Sequence, residues 1–267
     1  MDLQLEGKRA IVTGGSRGIG RAIAGALAAE GVDVALVARS AEPLEAAAAE
    51  IAEATGQHIV AIPADTGDDD SVRTMVERAV AELGGVDILV NCAAQAGGQG
   101  AVPSFDQIEA DAHFWPDMNV KVMGYLRCAQ GVAPHMKAAG WGRIINISGL
   151  AARQAGSTVG SMRNVAVAAM TKNLADELGP HGINVTVVHP GLTRTEATPG
   201  VVARRAEASN TTPEEIERRM AEGNSVRRLI DAEDIAYVVA MLASPRSIAI
   251  NGDTIAAGGG APRAIHY

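Results

Sequence analysis

Aromatic residues and cysteines are scarce in this chain of 267 residues. Two Trp, three Tyr and two Phe make up only 3% of it, so the core must be built mainly from aliphatic side chains. The only two cysteines, Cys92 and Cys128, lie far apart, with neither CxxC spacing nor a histidine cluster nearby. This pattern predicts no disulfide and no metal site, and it indicates a reducing compartment.

Basic runs and long apolar runs are missing as well. The formal net charge of -8 argues against a nucleic-acid-binding surface. No apolar run reaches the length needed to cross a membrane. The first residues, MDLQLEGKRAIVTGG, lack the charged segment and apolar core of a signal peptide. We therefore expect a cytoplasmic protein that binds neither nucleic acid nor membrane.

Apolar stretches of strand length alternate with segments of helical pattern. The strand-like stretches are RAIVTG at 9–14, DVALVA at 33–38, HIVAIP at 58–63, DILVNC at 87–92, RIINIS at 143–148 and NVTVVHP at 184–190. They are nearly continuous in hydrophobicity, which is typical of parallel strands covered on both faces. Helices rich in Ala and Leu are predicted at 18–30, 41–55, 69–83, about 114–139 and 158–178.

Repeated strand and helix predict right-handed crossovers. The predicted fold is α/β, a doubly wound parallel sheet (Rossmann fold) in three layers. No linker, repeat or low-complexity tract interrupts the series, so residues 1–267 are predicted to form a single domain.

The first strand runs directly into TGGSRGIG, residues 13–20. A glycine-rich turn between a strand and a helix lets the backbone and the helix N-terminus approach a pyrophosphate. Such glycines can also serve turn geometry alone. Asp65, Asn91 and the HPG of 189–191 follow other strands, and they favour a ligand site because an open α/β sheet binds at the carboxyl ends of its strands.

These motifs resemble those of the short-chain dehydrogenase/reductase family from about residue 7 to residue 260. TGGSRGIG is similar to the family's TGxxxGxG, and LVNCAA (89–94) is a variant of its NNAG with Cys92 and Ala94 replacing Asn and Gly. DMNVKV, RIINIS, HPGLTRTE, DAEDIAYVVAMLAS and INGDTIAAGGG are similar to its later motifs in the same order. The resemblance implies an oxidoreductase that uses a nicotinamide cofactor on a small-molecule substrate.

The charge pattern favours NADP(H) over NAD(H). An NAD site places a carboxylate at the end of the second strand, whereas an NADP site supplies cations for the 2'-phosphate. Here that position is Ala38, followed by Arg39, and Arg17 lies in the glycine turn. Two guanidiniums suit one phosphate, although both arginines can also be ordinary solvated residues. Motifs and charge together predict a cofactor site of Gly14, Ser16, Arg17, Gly18, Ile19, Gly20, Arg39, Ser40, Asp65, Thr66, Asn91, Ala93, Asn164, Pro190, Gly191, Thr193 and Thr195.

The catalytic pair of the family is missing. Family members carry a tyrosine that transfers a proton and, four residues later on the same helix face, a lysine that binds the nicotinamide ribose. Alignment of residues 169–191 with the family places these positions at Gly160 and Asn164. A shift of one residue gives Ser161 and Val165 instead, and neither register supplies the pair.

The resemblance then leaves Ser148, Asn119 and Asn164 as the predicted catalytic residues. Asn119 can alternatively bond nearby backbone, and Asn164 can still bond a ribose hydroxyl. Loss of the general acid is worth roughly 10²- to 10⁴-fold in rate. The substitutes considered are a protic side chain, a bridging water, or an iminium substrate that needs no acid. The candidate side chains are Ser157, Thr158, Ser161, His113 and His189.

Arg163 and segment 196–224 each allow two interpretations. Arg163 either points inward to bind a substrate carboxylate or an oxyanion or, as helical geometry favours, points outward to solvent or to a neighbouring subunit. The polar segment 196–224 corresponds to the family's substrate-covering insertion and predicts a lid, although its charge also suits a solvated face. In the family the two long helices form dimers or tetramers, so we expect a homodimer or homotetramer.

Two functions are therefore compared. The first is an NADP(H)-dependent oxidoreductase with a non-standard active site, which transfers a hydride to or from a small carbonyl, imine or related substrate. The second is a catalytically silent nucleotide-binding protein that acts as a sensor or structural partner. The intact PG turn and lid segment favour the enzyme.

Overall fold

A computed structural model of the chain describes residues 2–94 and 103–261. Its strands are β1 Arg9–Thr13, β2 Asp33–Ala38, β3 Ile59–Pro63, β4 Ile88–Asn91, β5 Gly142–Ile147, β6 Ile183–Pro190, β7 Thr193–Arg194, β8 Ile230–Asp231 and β9 Thr254–Ala257. Seven of these strands form one parallel sheet in the order β3-β2-β1-β4-β5-β6-β9, and β7 pairs with β8 separately. The six strands predicted from the sequence are confirmed, and β9 completes the sheet.

The helices are α1 Gly18–Ala29, α2 Ala41–Thr55, α3 Asp69–Leu83, α4 Trp115–Asp117, α5 Gly124–Ala139, α6 Thr158–Leu178, α7 Thr198–Ala208, α8 Pro213–Glu222 and α9 Ala232–Ala243. Glycines in the left-handed conformation end α2 at Gly56 and α3 at Gly84, where a side chain would be strained. The long helix predicted at about 114–139 is interrupted. Two π-helical stretches, Ala110–Phe114 and Met118–Met123, flank α4 before α5 begins.

Two aliphatic cores cover the two faces of the sheet. On one face Ile23, Leu27 and Val239, from α1 and α9, pack against the strands. On the other face Met75 and Val132, from α3 and α5, do the same. Burial on both faces explains why the strands read as continuous apolar runs, and the three-layer doubly wound fold predicted from the sequence is confirmed.

The topology fixes where a ligand can enter. Strand β1 pairs with β2 on one side and with β4 on the other. The strands before β4 therefore extend the sheet to one side of β1, and β4 and the later strands extend it to the other side. The crevice beyond the carboxyl ends of β1 and β4 is the position where open α/β sheets bind ligands. No helix in the described ranges is long and apolar enough to cross a membrane.

Candidate active site

A cavity of about 1170 Å³ opens at the carboxyl edge of the sheet. Its walls come from the loops that follow β1 to β6 and from helices α7 and α8. Ligand sites usually measure about 300–1,000 Å³, so this space suits a large cofactor together with a substrate. No cluster of His, Cys, Asp and Glu suited to a metal occurs in the described part of the chain.

The glycine turn forms one end of the cavity. Gly14 and Gly18 have φ values of +70° and +58°, a region that favours glycine. A Cβ added at Gly14 would lie 3.0 Å from the backbone nitrogen of Ala93, and one added at Gly20 would lie 2.2 Å from the Gly14 oxygen. Because side chains would fill this cradle, the glycines are required by close packing as well as by the turn.

The N-terminus of α1 attracts an anion in this structure. The backbone N–H of Gly18 donates to the Glu196 carboxylate at 3.2 Å. Free N–H groups and the helix dipole make such an end a site for negative charge. The contact shows that the turn accepts an anionic group at the position where a dinucleotide would place its pyrophosphate, so the residues present fit the cofactor.

Thr13 joins the turn to the neighbouring strand. Its side-chain oxygen accepts hydrogen bonds from the backbone N–H groups of Cys92 and Ala93 at 3.0 and 3.1 Å. Thr13 is fully buried. This hydroxyl therefore fixes the loop after β4 against the glycine turn, although the sequence analysis assigned it no role.

Two guanidiniums lie at the cofactor end. Arg17 and Arg39 are exposed and both line the cavity, as do Ala38 and Ser40. Neither arginine forms an ion pair with a carboxylate of the described residues. They are therefore available to an added anion.

Most of the predicted cofactor residues surround the same cavity. Those that line it are Gly14, Ser16, Arg17, Gly18, Ile19, Gly20, Arg39, Ser40, Asp65, Thr66, Ala93, Asn164, Pro190, Gly191, Thr193 and Thr195. Asn91 is the exception, because it is fully buried and its Nδ2 donates to Asn146 Oδ1 at 2.9 Å. The amide belongs to the polar core behind the cavity, so its placement does not support the predicted cofactor contact.

Ser148 and Asn164 meet at the other end of the cavity. The Ser148 hydroxyl donates to the backbone oxygen of Asn164 at 3.2 Å. The Asn164 side chain is 2% exposed, and its Oδ1 has no hydrogen-bond partner among the described residues. A buried acceptor without a donor is costly, so this oxygen suits a hydroxyl such as that of a ribose.

Gly160 leaves no protic group at the tyrosine position. It lies in the first turn of α6, where its N–H donates to the Ser157 side chain at 3.1 Å, and it does not line the cavity. Tyr125 is buried, with its hydroxyl donating to the Ile147 oxygen at 2.8 Å, and Tyr237 is 73% exposed. Tyr267 lies outside the described residues.

The other proposed donors are engaged or exposed. Ser157 caps α6, and Ser161 donates to the Gln154 oxygen at 3.1 Å. Thr158 and His113 are exposed and lie outside the cavity lining. None of these four side chains therefore replaces the missing tyrosine in this arrangement.

His189 is a hydrogen-bond acceptor in the interior. Its Nδ1 accepts the backbone N–H of Gly149 at 3.2 Å. Burial, with smaller effects of Arg153 and Lys121, lowers the pKa of His189 to about 4. The ring is thus neutral near pH 7, which argues against the proton-donor role considered for it.

We expect His189 to make the protein sensitive to acid. Its folded pKa of about 4 lies below the usual histidine pKa of 6.5, so the unfolded chain binds more protons between these values. The stability present above pH 6.5 is lost as the pH falls towards 4, by about 3 kcal/mol in total. Urea unfolding at pH 7.5 and 4.5 should show a much smaller loss for His189→Asn than for wild type.

His135→Asn is the matched control, because His135 is exposed on α5. This variant should keep the wild-type pH dependence. Equal acid sensitivity of wild type and His189→Asn would contradict the assignment of a buried neutral ring.

Asn119 lies outside the cavity, whereas Lys121 lies inside it. Asn119 is exposed, and its Nδ2 donates to the Gly67 oxygen at 3.0 Å, outside the cavity. Lys121 is 5% exposed, and its Nζ donates to the backbone carbonyl oxygen of Ser148 at 3.0 Å. Both lie in the π-helical stretch, whose wider turn changes the face that each residue occupies.

Lys121 is thus a site residue that was not predicted from the sequence, and the observed placement of Asn119 does not support its predicted catalytic role. Regular α-helical spacing was the wrong assumption for this segment. One signal was available, since Lys121 is the only charged residue in the stretch from Val120 to Leu126.

Arg163 points inward. Its Nη1 contacts both carboxylate oxygens of Asp117, at 2.7 and 2.6 Å, and the residue lines the cavity. The outward orientation favoured by the sequence is wrong, because Asp117 supplies a partially buried partner that the helical pattern of α6 does not reveal.

Helices α7 and α8 form a small unit over the cavity. Val202, Ala206, Ile216 and Met220 pack together with Leu229 as a separate apolar cluster. Thr212 caps α8 by accepting the N–H of Glu215 at 3.3 Å. The cavity side of the unit presents Arg205, Ile216, Arg219 and Met220.

Comparison with known proteins identifies the family. The family model described as short chain dehydrogenase matches residues 8–206. The short-chain reductase protein NovJ of Streptomyces niveus is 38% identical over 254 residues, which cover 95% of this chain and 93% of that protein.

Solved structures show the same relationship. L-sorbose reductase from Gluconobacter frateurii, in complex with NADPH and L-sorbose, superposes with a TM-score of 0.92 at 28% identity and covers 99% of this chain and 100% of that one. An NAD+-bound xylitol dehydrogenase gives a TM-score of 0.86 at 26% identity, with 96% and 100% covered. From its glycine turn to its closing strand, the chain belongs to the short-chain dehydrogenase family and is an oxidoreductase.

Proposed function

We propose that the protein is an NADP(H)-dependent oxidoreductase that transfers a hydride to or from a small carbonyl, imine or related substrate at a non-standard active site. One observation carries the proposal. A single cavity joins the glycine turn and two available arginines at one end to Ser148, Asn164 and Lys121 at the other.

The cofactor would be held by groups already described. The glycine turn would bind its pyrophosphate, Arg17 and Arg39 its 2'-phosphate, and Asn164 Oδ1 a ribose hydroxyl. When bound, the nicotinamide supplies or accepts a hydride. The L-sorbose reductase was crystallised with NADPH and the xylitol dehydrogenase with NAD+, so the preference for NADP(H) rests on the arginines of this chain.

The chain's own residues would position and polarise the substrate. Ser148 has a rotatable hydroxyl that can turn from the Asn164 oxygen towards a substrate oxygen. We propose that segment 196–224, which contains the α7–α8 unit, is a lid. Together with the Arg163–Asp117 pair, it would exclude water from the reacting atoms. The substrate of the sorbose reductase supports a small carbonyl compound as the substrate class here.

A cofactor-consumption screen tests the function. Ketones, quinones, enones and cyclic imines would be offered with NADPH and with NADH, beside binding titrations of both cofactors. We expect tight NADPH binding and turnover of at least one class. Binding without turnover on any class would overturn the proposed activity and favour a silent nucleotide-binding protein.

Removing Arg39 should weaken NADPH selectively. A charge-assisted hydrogen bond contributes about 1.5–3 kcal/mol, so Arg39→Ala should raise the Kd of NADPH roughly 10- to 100-fold. The Kd of NADH should change little, because it has no 2'-phosphate. Fluorescence titration of both cofactors measures the difference.

Arg78→Ala is the control for that experiment. Arg78 is exposed on α3 and does not line the cavity. It should leave both Kd values unchanged. An equal loss of NADPH and NADH affinity in Arg39→Ala would contradict phosphate recognition.

Exposed apolar residues support a homodimer or homotetramer. Trp115, Met123, Met162 and Val165 are 58%, 44%, 51% and 50% exposed, on α4, α6 and the π-helical stretch between α4 and α5. Side chains of this kind suit a subunit interface. Light scattering after gel filtration tests the proposal, and a monomer at micromolar concentration would contradict it.

A further inference from the structure

We propose that Lys121 is the catalytic proton donor that replaces the missing tyrosine. The inference rests on the proposed reductase function and assigns a side chain to its unexplained step. Lys121 lies in the π-helical stretch before α5, where the family pattern has no catalytic acid.

Geometry is the first support. The Lys121 side chain is 5% exposed yet lines the cavity beside Ser148. Its ammonium has three N–H donors. Among the described residues it makes one hydrogen bond, at 3.0 Å, to the backbone carbonyl oxygen of Ser148. The remaining donors are available to a substrate oxygen placed near Ser148.

The surrounding charges suit reversible proton transfer. Burial, followed by the nearby Arg163 charge, lowers the pKa of Lys121 to about 7, while Cys92 and Asp117 act in the opposite direction. Burial raises the pKa of Cys92 to about 11, so this thiol is neutral at pH 7. His189, on β6, is neutral as well, since its pKa is about 4.

The charged neighbours of Lys121 are thus Arg163 and Asp117, which pair with each other. No carboxylate in the described part of the chain forms a salt bridge with Lys121. An acid works best when its pKa lies near the operating pH, a condition that Lys121 meets.

Tyr125 and Ser148 are weaker candidates for the proton donor. The Tyr125 hydroxyl donates to the Ile147 oxygen inside the protein. The Ser148 hydroxyl can turn from the Asn164 backbone oxygen to bond a substrate oxygen, but no adjacent base among the described residues activates it for proton transfer. Cys92 and Arg163 also line the cavity near Lys121, but burial raises the pKa of the Cys92 thiol to about 11 and the Arg163 guanidinium pairs with Asp117. Lys121 is therefore the best-placed proton donor among the described lining residues near Ser148.

The proposed step balances. In the reducing direction the carbonyl carbon gains a hydride from the reduced nicotinamide of the proposed cofactor, which is thereby oxidised by two electrons. The carbonyl oxygen takes the pair of the broken π bond and receives a proton from Lys121 Nζ. The N–H bond electrons stay on nitrogen, and the neutral amine regains a proton from solvent.

The first test does not depend on turnover. Acetic anhydride labelling of the cofactor-free protein, followed by mass spectrometry across pH 5–10, measures the fraction of neutral amine at each lysine. We expect Lys121 to react through the cavity with a midpoint of about 7, compared with exposed Lys137 on α5 as the internal reference. A midpoint equal to that of Lys137, or no reaction at any pH, would overturn the proposal.

The second test separates proton transfer from charge and from packing. Lys121→Met should lower kcat at least about 100-fold on any substrate that the wild type reduces. Its NADPH Kd should stay near the wild-type value, and its melting temperature should not fall, because an unpaired buried charge is removed. The wild-type rate should fall as the pH rises above about 7, and this limb should vanish in the variant.

Lys121→Arg keeps the charge but cannot donate a proton at neutral pH. Its kcat should therefore also fall at least about 100-fold, and Lys137→Met should behave as wild type. Full activity in Lys121→Met or Lys121→Arg would overturn the role of Lys121 and leave the reductase function intact. NADPH binding without turnover in the wild type would overturn both proposals.

Discussion

Gly20→Ala should bind NADPH about 1000-fold more weakly than wild type. The new Cβ would lie 2.2 Å from the Gly14 oxygen and 2.8 Å from the Gly14 carbon. Carbon atoms pack at about 3.5–4.0 Å, so the turn must move by about 1 Å. In the proposed cofactor complex, such a shift would remove about two backbone N–H bonds to phosphate, each worth about 1.5–3 kcal/mol.

The same clash should lower the free energy of unfolding by about 3 kcal/mol, because the neighbour is backbone and not a flexible side chain. Titration with NADPH and urea unfolding measure the two effects. Wild-type affinity in a folded Gly20→Ala would contradict the close approach of α1 to the turn.

Gly25→Ala is the matched control in the same helix. An added Cβ at Gly25 meets no atom within 4 Å. Alanine in a helix interior is favoured over glycine by roughly 0.5–1 kcal/mol, so this variant should be slightly more stable and bind NADPH normally. The contrast separates steric closure of the turn from the general effect of replacing glycine in α1.

The fold was predictable because local and long-range preferences agree. Strands such as DVALVA are buried on both faces, and the sequence expresses this directly as an unbroken apolar run. The helix ends were predictable for the same reason, since Gly56 and Gly84 adopt conformations that other residues avoid. The cofactor end of the cavity could be predicted from the glycine motif, because these glycines permit a tight turn and close backbone packing.

The reacting end was less predictable because it depends on contacts between distant segments. The Asp117 carboxylate turns Arg163 inward across a gap of 46 positions. Asn91 Nδ2 donates hydrogen bonds to Asn146 Oδ1 and to the Tyr125 backbone oxygen in the interior, and no local sequence pattern predicts these contacts. The π-helical stretch that brings Lys121 into the cavity has no reliable sequence signal, so the sequence did not indicate that this residue belongs to the site.

The absent tyrosine and the buried lysine are connected physically. A buried ammonium without a paired carboxylate is costly, and such groups are retained mainly at functional sites. Burying the Lys121 ammonium lowers the stability of the folded protein whether or not a substrate is bound. Lys121 is thus most easily explained as the chemical replacement for the group that Gly160 cannot supply.

Thr13→Val tests how the protein holds its cofactor turn in place. Valine matches threonine in shape but cannot accept the N–H bonds of Cys92 and Ala93. Each unsatisfied N–H costs about 1–3 kcal/mol, so the free energy of unfolding should fall by about 2–4 kcal/mol. NADPH affinity should fall as well, since Gly14 packs directly on the Cys92–Ala93 backbone. Thr13→Ser keeps the acceptor and should lose less than about 1 kcal/mol. If urea unfolding gave equal losses for the two variants, the methyl group rather than the hydroxyl would hold the turn against β4, and the role assigned here to Thr13 would be wrong.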